Sequence, residues 1–153
     1  MRTRIVLGSL AVASSIFLES GRALAADPLP DIVVERWSTP STAPAGSTIT
    51  VVAQVANVGR AASTPFVSEL RLDPPSGTRV AIEPTRWETA ALQPGRTAHA
   101  EVTLTIPRTS LPGEYVLRVL ADVKKAVSEE NEHNNLAERR LIVTAPPGPT
   151  PSQ

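Results

Sequence analysis

Val127-Ser128-Glu129-Glu130-Asn131-Glu132-His133-Asn134-Asn135 packs three glutamates and three asparagines into nine residues and lies between two apolar, alternating segments. Asparagine side chains bond nearby backbone and tolerate left-handed conformations. So dense a cluster beside an alternating segment therefore predicts an elaborate hairpin loop with many backbone polar groups to satisfy. The segment before it, Glu114 to Val123, places Tyr115, Leu117, Val119, Ala121 and Val123 on one face. The segment after it, Leu136 to Thr144, is the last strand. No proline interrupts the chain between Gly113 and Ala145. Since proline cannot donate to a sheet ladder, these two strands are the predicted central pair.

Working outward, the same period-two pattern recurs between Pro and Gly breaks, and no long stretch has helical periodicity. Strands are predicted at Asp31 to Trp37, Ser47 to Val58, Pro65 to Leu72 and Thr97 to Ile106, with short segments at Thr78 to Ile82 and Arg86 to Leu92. In the second, Ile49, Val51, Ala53 and Val55 form the core face. In the third, Phe66, Ser68, Leu70 and Leu72 share one side. In Thr97 to Ile106, Ala98, Ala100, Val102, Leu104 and Ile106 point inward, leaving His99 and Glu101 outward. Pro40 and Pro44 interrupt the chain, and Asp73-Pro74-Pro75-Ser76-Gly77 is a turn. About seven short strands without helices predict an all-β, immunoglobulin-like antiparallel two-sheet sandwich with Greek-key connections, a small closed barrel being the alternative.

The first 25 residues have the form of a secretory signal peptide. Arg2 and Arg4 precede an apolar stretch, Ile5 to Leu18, and Ala23-Leu24-Ala25 offers a cleavage site. The stretch is shorter than the roughly 20 residues a membrane span requires, so an exported, periplasmic or secreted chain with no membrane span is expected. It has no cysteine for a disulfide or a lipid anchor. Processing leaves 128 residues with 12 basic and 14 acidic side chains. That length suits one domain, and that charge argues against nucleic acid as a partner. The domain is expected over 30 to 144, and Pro146-Pro147-Gly148-Pro149-Thr150-Pro151 predicts a disordered tail over 145 to 153.

The chain from Pro30 to Val143 resembles the CARDB family, the cell-adhesion-related domains found in bacteria. Pro30-Asp31-Ile32-Val33-Val34 is similar to the family's opening strand, and Pro44-Ala45-Gly46-Ser47-Thr48-Ile49-Thr50-Val51 to its lead into the second. Val55-Ala56-Asn57-Val58-Gly59 is similar to its Val-x-Asn-x-Gly turn. Gly113-Glu114-Tyr115, Ala121-Asp122 and Glu130-Asn131-Glu132-His133-Asn134-Asn135 follow in the order of its last hairpin. Asp73 to Gly77 departs from the family's tighter Asp-Gly turn. The resemblance implies an immunoglobulin-like sandwich and a non-enzymatic module of exported proteins that mediates adhesion or binding.

The Asn-rich loop has two readings. In the structural one, Asp122 pins the end of its strand, Asn131, Asn134 and Asn135 cap the loop, and Glu130 and Glu132 accept backbone N–H bonds. In the other, Asp122, Glu130, Glu132 and Asn134 supply hard oxygen ligands that suit calcium. The structural reading is preferred because the loop lacks the Asp-x-Asp-x-Asp-Gly order of a calcium loop. No other cofactor is implied. His99 and His133 lack the spacing of a zinc site.

Neither a Gly-x-Ser-x-Gly elbow nor a cysteine nucleophile is present. Carboxylates crowded into one loop at Glu129 to Glu132 give no acid and base of distinct character, so catalytic residues are expected to be absent. Trp37 and Trp87 are read as packing residues, with sugar stacking as the alternative. Tyr115 is expected to tie its hydroxyl to nearby backbone. Lys124, Lys125, Arg139 and Arg140 are expected to offset the charge of the acidic loop. The leading functional expectation is a module that binds another envelope or extracellular protein. A carbohydrate-binding module and a calcium-stabilised structural domain of an exported assembly are the alternatives.

Overall fold

The computed structural model describes residues 26–148 apart from residue 79. The signal-peptide expectation, residues 1–25, and the last five residues of the predicted tail lie outside the described residues. Eight strands follow one another: β1 (Ile32–Ser38), β2 (Thr42–Pro44), β3 (Thr48–Asn57), β4 (Phe66–Asp73), β5 (Thr85–Thr89), β6 (Thr97–Thr105), β7 (Gly113–Leu120) and β8 (Leu136–Thr144). They form a three-stranded sheet ordered β1-β3-β6 and a five-stranded sheet ordered β2-β8-β7-β4-β5. The chain changes sheets at every step except from β4 to β5 and from β7 to β8. These are the Greek-key crossings of an immunoglobulin-like sandwich.

Alternation along each strand places one residue in two between the sheets. Ile49, Val51 and Ala53 of β3 meet Leu70 and Leu72 of β4, Leu117 and Val119 of β7, and Leu141 and Val143 of β8 in the buried interior. Each buried aliphatic side chain contributes roughly 1.5 to 3 kcal/mol before chain entropy is subtracted. A second cluster of Ile32, Val55, Phe66, Leu92, Ala121 and Val127 closes the end of the sandwich beside the Asn-rich loop. As expected, β7 and β8 are interior to their sheet, flanked by β4 and β2. Outward-facing His99 and Glu101 are exposed.

Three elements differ from the sequence reading. β2, hidden between Pro40 and Pro44, runs parallel to β8 with Thr42 opposite Ile142 and Pro44 opposite Thr144. It takes the chain from β1 across to the five-stranded sheet before β3 returns to the first, and it ends in a proline, which an edge strand tolerates. Thr78 to Ile82 contains no strand among its described residues, although Ile82 packs on the core. β5 stops at Thr89 instead of Leu92 because the Leu92 backbone bonds elsewhere. Its N–H donates to Ser63 Oγ (2.9 Å) and its carbonyl accepts from Asn57 Nδ2 (2.9 Å).

Trp37 and Trp87 are half-buried and pack against the main core, as the packing reading expected. Arg139 sits 5.0 Å from the centroid of the Trp37 ring, a cation–π distance. Arg140 pairs with Glu114 (3.4 Å). Neither arginine therefore offsets the acidic loop as the sequence suggested; their strand turns both away from it. The outer face of the five-stranded sheet carries a ladder of alternating charge, in which Arg86 and Arg71 pair with Glu69, Arg71 and Arg118 with Asp73, and Arg118 with Glu138.

Candidate functional site

The Asn-rich loop, the β3–β4 turn and the entering chain converge at one end of the sandwich, and Asn57 organises that end. Fully buried at the end of β3, its side chain makes four hydrogen bonds. Oδ1 accepts from Asp31 N (3.1 Å) and Gly59 N (3.1 Å), while Nδ2 donates to Ala61 O (2.8 Å) and Leu92 O (2.9 Å). Two donors and an oxygen with two acceptor positions are all used, which is the full capacity of an amide. Two residues on, a Cβ at Gly59 would lie 2.4 Å from Asp31 N and 2.6 Å from Leu29 O. No other residue fits against the entering chain there, which accounts for the Asn-x-Gly spacing.

The entering segment is held from the loop side as well. Pro30 O accepts from Glu130 N (2.8 Å), and Asp31 Oδ1 accepts from Asn134 Nδ2 (2.9 Å). The Glu129 carboxylate accepts from Ile32 N through Oε2 and from Asn135 Nδ2 through Oε1 (2.7 Å). Glu129 is 8% exposed. Burial raises its pKa above the ordinary glutamate value, against the opposing pull of the Ile32 and Asn135 hydrogen bonds. The Ile32 N–H lies on the outer edge of β1, so the carboxylate stands where a further strand would pair.

The predicted ligand residues now have definite partners. Asp122 adopts a left-handed φ of 42°, and its two carboxylate oxygens accept from Ala126 N (3.0 Å) and Val127 N (2.8 Å). It pins its strand end and seats Val127 in the closing cluster. Glu132 Oε1 accepts from Glu129 N (3.2 Å). Glu130 takes the guanidinium of Arg60 (2.8 Å) instead of a backbone N–H. Asn134 Oδ1 is buried without a partner among the described residues. Asp122, Glu130, Glu132 and Asn134 therefore share one loop but turn to separate partners. Among the described residues no three acidic, imidazole or thiol groups converge as a metal site.

The sequence reading missed Glu129, whose buried role is invisible in a run of similar carboxylates. It also passed over Asn57 as a hub, although the Asn-x-Gly spacing was in view. Tyr115 is fully buried, and its hydroxyl donates to Leu111 O (2.9 Å) as expected. Beside the clamp, Leu120, Ala121, Val123, His133 and Leu136 line a mainly apolar cleft of about 300 Å³ that opens to solvent, with Lys125 and Glu132 among its polar lining residues. Leu136 is 47% exposed at this cleft.

The CARDB family model matches residues 29–139, a span that includes the clamp, the Asn-x-Gly turn and the Asn-rich hairpin. The chain belongs to the CARDB family. The CARDB domain of a Pyrococcus furiosus protein, solved in complex with di-metal ions, is 20% identical with a TM-score of 0.59, covering 76% of this chain and 96% of that one. A domain of a protein described as a cell-surface protein of Methanosarcina acetivorans is 26% identical with a TM-score of 0.56, covering 76% and 93%. A cycloisomaltooligosaccharide glucanotransferase of Paenibacillus, complexed with cycloisomaltoheptaose, contains a similar sandwich at 20% identity and a TM-score of 0.53. The match takes in 76% of this chain but 14% of the enzyme. No curated protein matches the chain. At these identities the solved structures show the CARDB fold and carry no activity across.

Proposed function

We propose that this CARDB chain is an exported, non-catalytic binding module that engages another envelope or extracellular protein through the cleft at its β7–β8 hairpin end. The observation that carries the reading is an apolar cleft with a half-exposed Leu136, built on a loop whose Asp122 and Glu129 carboxylates are spent on local hydrogen bonds. A rigid apolar recess with a polar rim accepts a side chain anchor at little ordering cost. Lysine substituted for Leu136 places a charge in the recess without touching the core. Affinity capture from envelope extract is expected to retain a protein on the wild type that the L136K variant loses. Equal retention by the two would refute the cleft as the binding surface.

A calcium-stabilised domain is the competing reading, through Asp122, Glu130, Glu132 and Asn134. The unpartnered Asn134 Oδ1 favours it. Against it, Glu130 is engaged by Arg60 and each Asp122 oxygen by a backbone amide, so a cation would compete with partners already in place. Thermal unfolding in calcium and in chelator separates the readings: equal midpoints support the protein-binding module, and a midpoint raised by calcium supports the other.

A further inference from the structure

A sandwich of two open sheets has four edges, and the three here other than β6 are capped, bulged or shorter than it. β1 carries a register shift between Val34 and Arg36, and the Glu129 carboxylate caps its Ile32 N–H. β2 has three residues and ends in proline, and β5 has five. Charges inserted at edges, bulges, prolines and short lengths are the devices that stop edge strands from recruiting another chain. β6 has no bulge, proline or shortening over its nine residues, and its one charge, Glu101, stands on the exposed outer face.

The register fixes which groups of β6 are open. Asn57 N donates to Arg96 O and Ile106 N to Ser47 O, so the even-numbered residues of β6 bond β3. Thr97, His99, Glu101 and Thr103 direct their N–H and carbonyl groups away from it. Their N–H groups have no partner among the described residues, and the one carbonyl engaged is Thr103 O, which accepts from the Thr85 hydroxyl (2.7 Å). The same residues project exposed side chains from the outer face.

The sequence of this edge is self-complementary about Ala100. Reading outward in both directions, His99 answers Glu101, Ala98 answers Val102, and Thr97 answers Thr103. We propose that β6 is a homodimer interface, in which two copies pair antiparallel about a two-fold axis at Ala100 and join their three-stranded sheets into one of six. Each His99 then lies opposite Glu101 of the second copy in a hydrogen-bonded pair, and this pairing occurs twice by symmetry. Thr97 stands opposite Thr103, giving β-branched pairs that suit a sheet surface, and Ala100 meets its own copy on the inner side. The second copy is favoured over an unrelated peptide because acid meets imidazole, and small meets small, only in this self-paired register.

Sedimentation equilibrium of the purified protein from about 10 µM to 1 mM, a range that captures weak association, tests the pairing. The wild type is expected to move from monomer toward dimer. H99E sets a second carboxylate against Glu101 in both symmetric pairs and is expected to weaken association roughly tenfold, since like charges across a strand pair repel. The exchanged variant H99E/E101H restores opposite partners at both positions and is expected to recover most of it. E101P removes an outward N–H that β3 does not use, and is expected to abolish the dimer while leaving the unfolding midpoint near that of the wild type. A wild type monomeric throughout, or an exchanged variant as weak as H99E, would overturn the proposal.

Discussion

Replacing Asn57 by aspartate separates the two halves of the hub with a single-atom change. The aspartate keeps Oδ1 for Asp31 N and Gly59 N, but puts an oxygen where Nδ2 stood 2.8 Å from Ala61 O and 2.9 Å from Leu92 O. When protonated it donates to one of those carbonyls and loses one bond, costing about 1 to 2 kcal/mol. When ionised it is a buried anion facing two carbonyl dipoles, so its folded-state pKa rises above the ordinary value near 3.9. By linkage, a group raised in the folded state adds no pH-dependent penalty below its unfolded value, and its penalty grows as pH climbs to the folded value, by about 1.4 kcal/mol per pH unit. N57D is therefore expected about 1 to 2 kcal/mol below wild type at pH 4, and about 3 kcal/mol further below it by pH 6.5. N57A removes the side-chain partner of Asp31 N, Gly59 N and Ala61 O, while Leu92 O keeps Ser63 N, and is expected to lose about 3 to 4 kcal/mol with no such pH trend. Urea unfolding followed by the emission of Trp37 and Trp87, run on the three proteins across this range, reads both effects. A wild-type-like pH profile for N57D, or a cost below about 1 kcal/mol for N57A, would refute the role assigned to the hub.

E129Q is expected to gain stability relative to wild type as pH rises from 4 to 7. The raised pKa of Glu129 makes its own contribution greatest below the unfolded glutamate value and lost as pH rises through the folded one. The Asn135 amide, whose Oδ1 is unpartnered, can turn over to accept from the new amide. Urea midpoints at several pH values check this. G59A forces a methyl against the backbone of Leu29 to Asp31 and is expected to cost about 2 to 3 kcal/mol, with hydrogen exchange accelerated at Ile32. Y115F loses the bond to Leu111 O and should cost about 1 kcal/mol in thermal unfolding without changing the fold.

Strands governed by alternation were legible because burial of one face imposes a period that chemistry prints in the sequence. β8 was predicted to the residue, and β3, β6 and β7 to within a few residues. β2 was not, because three residues between prolines carry no period and their pairing depends on β8, at the far end of the chain. Thr78 to Ile82 shows the opposite error: Ile82 is apolar and packs on the core, but among the described residues no strand pairs with this segment. Within the loop, residue types announced a turn with many polar demands, and Asp122 and Tyr115 did what their positions suggested. The division of labour among Glu129, Glu130 and Glu132 stayed hidden, since it is decided by Ile32, Arg60 and the Glu129 amide, two of them distant in sequence.

The path of the chain through the sandwich has a mechanical consequence. β1 begins at the end occupied by the Asn-rich loop, where Ile32 lies against Glu129, and β8 ends at the opposite end, where Thr144 faces Pro44. Tension applied between the two would draw β1 along β3 and β8 along β7 and β2. The ladder bonds lie across that direction, so many would be loaded together and none peeled singly. Of the bonds first in line, those holding Leu29 to Ile32 belong to the same clamp that Asn57 and Glu129 build.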